Sequence, residues 1–259
     1  MTTDSAAIWL GDDGKLSATR VPASYTPAGF ESLVQVKFSG VNPADQRHFL
    51  PGLHSFIAGY EFSSNVIAVG PLSPYESGDV IFGMNRAQHQ RPAALGAHQD
   101  FAIAESRCFF KLPTGMKLEV AAATTLVAQT ALDGLFNCLN FGFPAAGLDG
   151  EDRTGVPILI WGGASGVGTA AIQLAKSAGF SPIVTTASFR NHGALFELGA
   201  THTFDYRSAR VVDDIRSVIA RGGKELLTVF DAVVGGADPL ELLFRQLIRR
   251  TQAGSGAEC

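Results

Sequence analysis

The sequence predicts an α/β protein in two parts, a β-rich first half followed by an open parallel sheet covered by helices. Three observations lead there. Short strand-like runs separated by Gly and Pro fill residues 1–125. Near Leu118 the texture changes to Ala, Leu and Thr at helical spacing. From Pro157 onward, short apolar runs alternate with helical patterns, and such alternation implies parallel strands joined by right-handed helical crossovers. The expected domains are therefore 1–125 and 126–259.

In the first half, Ser32–Ser39 alternates apolar and polar residues, as a half-buried strand does. Asn65–Gly70, Asp79–Gly83 and Asp100–Ala104 predict three further strands, and the set suits a barrel or sandwich. Asn85–His98 is polar and predicts a surface loop. Glu119–Leu139 predicts a helix, and Phe143–Gly155 a connector. The second half then reads as strand Pro157–Trp161, helix Val167–Ala178, strand Pro182–Thr186 and helix Asn191–Leu198, ended by Gly199. A short strand at Thr203–Phe204, helix Val211–Ala220 and strand Leu227–Val234 follow.

Composition narrows the function classes. The chain has 259 residues, 46% of them hydrophobic and 17% charged, which is enough apolar material for a core. A formal net charge of −4 argues against a dedicated nucleic-acid binder, which carries a basic face. The three cysteines, Cys108, Cys138 and Cys259, form no C-x-x-C pair and suit neither a zinc cage nor a disulfide scaffold. A reducing compartment, the cytoplasm, is expected. The N-terminus lacks the basic and apolar regions of a signal peptide, and no apolar run is long enough to span a membrane.

Gly162-Gly163-Ala164-Ser165-Gly166-Val167-Gly168 follows an apolar strand and opens a helix. In that context the first glycine permits the turn, a later one admits a pyrophosphate to backbone N–H groups, and the last lets the helix pack on the strand. The helix N-terminus adds partial positive charge. Ser165 stands where a strict motif has another residue, and its hydroxyl could donate to phosphate. The alternative is an ordinary Gly-rich turn. Ser165, Gly166, Val167 and Gly168 are the expected dinucleotide contacts. An NAD-binding protein carries Asp or Glu at the end of the second strand, about 20 residues past the loop, for the ribose 2′-OH. The stretch Ile183–Arg190 has no acid. Ser188 and Arg190 stand where the 2′-phosphate of NADP would lie, and Arg pairs phosphate through two parallel hydrogen bonds. NADPH is the expected cofactor, with a solvated loop arginine as the plainer account of Arg190.

These pieces, in order, resemble a medium-chain dehydrogenase/reductase of the zinc-independent quinone-reductase and enoyl-reductase branch, with the flavour of fungal trans-acting enoyl reductases. The resemblance runs from about Leu33 to about Gly236. It rests on Val41-Asn42-Pro43-Ala44-Asp45, Gly59-Tyr60-Glu61-Phe62, Ser77–Gly83, Lys111-Leu112-Pro113, Gln129-Thr130-Ala131-Leu132, the glycine loop, Gln173–Lys176, Leu198-Gly199-Ala200 and Phe204-Asp205-Tyr206-Arg207. No one of them is specific, but their order and spacing are. The resemblance implies an N-terminal GroES-like β domain and a Rossmann domain, with the active site in the cleft between them. It also implies hydride transfer from NADPH to an activated C=C bond, a quinone or a carbonyl. Asn42, Asp45, Thr130 and Tyr206 become expected cofactor contacts, Thr130 beside the nicotinamide and Tyr206 along the adenosine. A helix-interior Thr and a strand-end Tyr are the plainer accounts.

Zinc-dependent relatives carry an early Cys, Gly-His-Glu and a later Cys. Here Asn42–Asp45 holds the first position, Tyr60 replaces the His, and no Cys set exists, so no metal is expected. His48, His54, His89 and His98 have no ligand spacing and read as surface or loop residues. The position of the family's proposed helper Lys is Arg47, which keeps its charge and suits enolate stabilisation better than proton donation. His54 is a weaker candidate in the same stretch. A polyketide synthase partner and a homodimer are implied by the resemblance, the dimer doubtfully. The recognisable part ends at Gly235-Gly236, Leu240–Ile248 could form a helix, and Arg249–Cys259 is polar. Because the family continues, loss of a C-terminal part is expected, which would leave the fourth strand as an open sheet edge. Alternatives are a carbonyl or alcohol oxidoreductase without zinc, and a catalytically silent nucleotide-binding chain.

Overall fold

The computed structural model describes residues 4–233 apart from 23, 48, 50, 51, 89, 90, 144, 145 and 224–227. His48, His89, the expected helix Leu240–Ile248, the Gly235-Gly236 stop and the polar tail lie outside the described residues. The chain divides into two compact units, Met1–Leu126 and Val127–Cys259.

The first unit holds two antiparallel sheets. Strands β1 (Asp4–Leu10), β2 (Leu16–Pro22) and β4 (Phe56–Ile57) form one, in the order β2-β1-β4. Strands β3 (Glu31–Ser39), β5 (Glu61–Val69), β6 (Val80–Met84), β7 (Phe101–Glu105) and β8 (Phe109–Lys111) form the other, in the order β7-β3-β5-β6-β8. Val34, Phe62, Val66, Ile81, Ala102, Ala104 and Phe109 make the core on the second sheet. A short helix α1 (Ala44–Arg47) follows β3, and helix α2 (Leu118–Ala122) packs on β5, β3 and β6. Strands β1, β2, β4 and β8 have no counterpart in the sequence reading. Strand β2 has its apolar residues broken by polar ones, β4 and β8 are only two and three residues long, and β1 is an apolar run without alternation.

Two expectations change here. Asn85–His98 is no surface loop. Asn85, Arg91, Leu95 and Ala97 are buried, and the Asn85 amide donates to the carbonyls of Leu95 (3.0 Å) and Ile103 (2.7 Å). A polar side chain there satisfies buried backbone that no strand partner reaches. The helix expected over Glu119–Leu139 is divided into α2, α3 (Thr125–Leu132) and a π-helical turn at Asp133–Cys138. The break falls where the buried Glu61 carboxylate accepts the N–H of Leu126, at 2.8 Å, and that of Thr125. A carboxylate at those N–H groups starts a new helix rather than continuing the old one.

The second unit is built on a parallel sheet. Strands β9 (Ile158–Trp161), β10 (Ile183–Thr186), β11 (His202–Phe204) and β12 (Thr228–Asp231) lie in the order β11-β10-β9-β12. In chain order that is 3-2-1-4, the opening arrangement of a doubly wound sheet. Helices α4 (Gly166–Ser177), α5 (His192–Leu198) and α6 (Val211–Arg221) connect the strands. Strand β9 is apolar throughout because both of its faces are covered. Ile158 and Ile160 join α3, α4 and α5 on one face, and Leu159 and Trp161 meet Val211, Ile215 and Ile219 of α6 on the other.

Candidate functional site

In the second unit the site begins where β9 stops. Gly162 has φ of +81°, a conformation that favours glycine. A Cβ on Gly168 would overlap the carbonyl oxygen of Gly162, and one on Gly163 would overlap the Thr185 hydroxyl. The turn therefore presses α4 against the strand ends without room for side chains. Ser165 is the N-cap of α4: its Oγ accepts the N–H of Gly168 at 3.0 Å and donates to the carbonyl of Ala232 at 3.0 Å. In this arrangement Ser165 shapes the loop from both sides. The N–H groups of Gly166 and Val167 belong to the first helical turn, which has no acceptor within the helix. The backbone that closes the turn thus suits a dinucleotide pyrophosphate at the C-terminal end of β9, between β10 and β12, where the strand order reverses.

Along the same sheet edge, Ser188 follows β10, half-buried, and Arg190 is exposed in a single helical turn, Phe189–Asn191. Tyr206 follows β11 and is exposed. Because Thr186 pairs with Phe204, and the Ala187 N–H donates to the Phe204 carbonyl at 2.9 Å, the two strand ends leave the sheet side by side. Thr130 is exposed on α3.

In the first unit the expected residues fall into a buried polar network. The Asn42 N–H donates to Asp45 Oδ2 at 2.7 Å, and Asn42 Nδ2 donates to Glu61 Oε1 at 2.8 Å. His98 spans Ser39 Oγ (2.9 Å) and Asp45 Oδ2 (3.2 Å). Asp45 is 2% exposed. Its carboxylate holds the Asn42 turn and His98 inside the domain, at the border of the cavity that Arg47 also lines. His98, expected at the surface, is nearly enclosed for the same reason. His54 is exposed, with Nδ1 3.0 Å from Ser55 Oγ. Arg47 is exposed, and with Asn42 and His98 it borders an open cavity of about 920 Å³.

The network contains residues the sequence reading missed. Arg91 is buried, with its guanidinium 4.3 Å from the centre of the Tyr60 ring, and it donates to the Leu95 carbonyl. Burial lowers its pKa to about 10, partly opposed by Tyr60, Asp45 and Glu105. Burial raises Tyr60, and it also raises Glu61 against the hydrogen bonds from Leu126 and Asn42. Glu61 stood in the sequence within Gly59-Tyr60-Glu61-Phe62, as an acid opening a strand of otherwise uncharged residues, with no role assigned to it. Arg91 and His98 carried no signal. Among the described residues no three His, Cys, Asp or Glu side chains gather as a metal site requires.

A GroES-like β domain followed by a Rossmann-type parallel sheet with a glycine turn defines the fold. The chain is similar to medium-chain dehydrogenase/reductase proteins over part of their length. Residues 166–244 match the family model described as zinc-binding dehydrogenase. Dehydrogenase orf1 of Aspergillus niger is 32% identical over 83% of this chain and 64% of its own length. Trans-enoyl reductase fsa3 of a Fusarium species is 34% identical over 79% of this chain and 58% of its own. A mycobacterial protein solved in complex with NADPH superposes with a TM-score of 0.72 at 26% identity, covering 94% of this chain and 70% of that one. The chain thus spans less than two thirds of the length of these curated relatives.

Proposed function

We propose that this chain carries the β domain and nucleotide-binding sheet of an NADPH-dependent reductase that acts, without zinc, on an activated C=C bond of an enoyl or enone substrate, or on a quinone. The observation that carries the cofactor reading is the acid-free end of β10, where Ser188 and Arg190 stand beside a glycine turn. The N–H groups of Gly166 and Val167 would hold the pyrophosphate, and Gly168 keeps the helix close enough for them to do so. Ser188, Arg190 and Tyr206 would hold the phosphorylated adenosine, with Thr130 and Asn42 toward the nicotinamide. NADPH, when bound, supplies the hydride. Arg47 remains cationic and would stabilise the enolate that forms. Tyr60 at the position of a metal-binding His supports a zinc-free reaction. The fungal trans-enoyl reductase relatives favour an enoyl substrate. A polyketide synthase partner, a cytoplasmic location and a homodimer complete the proposal and are open to test.

Fluorescence titration of the purified chain tests the cofactor. NADPH should bind more tightly than NADH, and Arg190→Ala should cost about tenfold in NADPH affinity, the loss of one charged hydrogen bond. Equal affinity for the two nucleotides would overturn the NADPH assignment. Turnover is then measured with enoyl thioesters, enones, quinones and simple aldehydes. Reduction of aldehydes alone would favour a carbonyl oxidoreductase, and binding without turnover a nucleotide-binding chain that is silent by itself.

A further inference from the structure

We propose that Arg207 is a second cation of the 2′-phosphate site, supplied by the strand next to the one that carries Arg190, and that the pair selects 2′-phosphorylated adenosine ligands. The inference rests on the NADPH reading and names a specificity residue that reading does not contain. Several arginines of the second unit are in ion pairs: Arg153 with Glu151, Arg210 with Asp214 and Arg216 with Asp213. Among the described residues, no guanidinium nitrogen of Arg190 or Arg207 lies within 4.0 Å of a carboxylate. Both are exposed, and both follow neighbouring parallel strands, β10 and β11, at their C-terminal ends.

The local geometry holds Arg207 in place. Its backbone N–H donates to Asp205 Oδ1 at 2.9 Å, which closes a tight turn just past β11. Its guanidinium carbon lies 4.9 Å from the centre of the Tyr206 ring, so the side chain is stacked on an aromatic face and its N–H edge remains open. Phe189, between Ser188 and Arg190, is 78% exposed, and its ring lies 5.4 Å from that of His192. Two exposed aromatic residues and two exposed arginines therefore follow the ends of neighbouring strands. That combination suits a purine carrying a phosphate: rings give a flat apolar contact, and two guanidinium groups brought to a dianion give several charge-assisted hydrogen bonds. An unphosphorylated ribose offers nothing to the second arginine, so Arg207 contributes to selectivity rather than to general nucleotide affinity.

The test uses the full chain and two small probes, 2′,5′-ADP and 5′-ADP, titrated by calorimetry. Arg207→Ala should weaken 2′,5′-ADP about tenfold and leave 5′-ADP within about twofold, with Arg207→Lys recovering part of the loss. The loss should shrink in high salt, since the site is exposed. An unchanged 2′,5′-ADP affinity, or an equal loss for both probes, overturns the role of Arg207 and leaves the NADPH reading standing. If the unsubstituted chain binds neither 2′,5′-ADP nor NADPH, both fall. A melting temperature unchanged by the substitution separates these outcomes from loss of fold.

Discussion

The two units solve the problem of burying polar atoms in opposite ways. In the first, Asp45, Glu61 and Arg91 lie inside, with Asn85 and Gln99. In the second, the buried polar residues among those described are threonines, Thr185, Thr186 and Thr228. The first unit has long irregular connections such as the one from Asn85 to His98, so charged and amide side chains must satisfy backbone that no ladder reaches. The second has a parallel sheet covered on both faces, whose ladder satisfies itself, and its close contacts are made by leaving side chains out. One unit should therefore be sensitive to deletion of polar atoms, and the other to addition of a methyl group.

The largest effect should come from Glu61→Ala. It leaves the Asn42 amide and the Leu126 N–H without their acceptor, and buried donors orphaned in this way should cost about 3 kcal/mol by urea denaturation. A cost no greater than that of a surface substitution would break the contrast between the units. Gly168→Ala comes next. The added methyl must push the glycine turn away from α4, at about 2 kcal/mol, and NADPH affinity should fall at least tenfold. Normal affinity in that variant would mean the tight turn is not what places the N–H groups.

The smallest effect sharpens the contrast through pH. Burial raises the Glu61 pKa above its ordinary 4.5. A raised folded value means the folded state holds that proton more tightly than the unfolded chain. The resulting stability is fully present below 4.5 and is lost as pH rises through the folded value. Glu61→Gln removes this dependence, so melting temperatures of the two proteins, compared from acid to neutral pH, should shift steadily in favour of the variant. A difference that does not vary with pH would show that Glu61 does not titrate differently on folding.

Much of the second unit was legible in the sequence because its signals are local. An apolar run marks a strand buried on both faces, a glycine cluster before a helical pattern marks the turn, and Val211, Ile215 and Ile219 recur at the helical interval. The parallel direction of the strands could be expected from alternation alone, and the strand order could not. The first unit was legible only at β3, β5, β6 and β7, where alternation or an apolar run is clean.

What the sequence determined by itself was the class of fold, the glycine turn and the absence of an acid after β10, since each depends on residues close together in the chain. Only the tertiary structure decided that Ser165 caps a helix against Ala232, that Asp45 faces inward to His98, and that Arg91 stacks on Tyr60. These pairs are separated by 67, 53 and 31 positions. A polar side chain carries no local mark of its partner, because hydrogen-bond and charge complementarity act through space after the chain has folded.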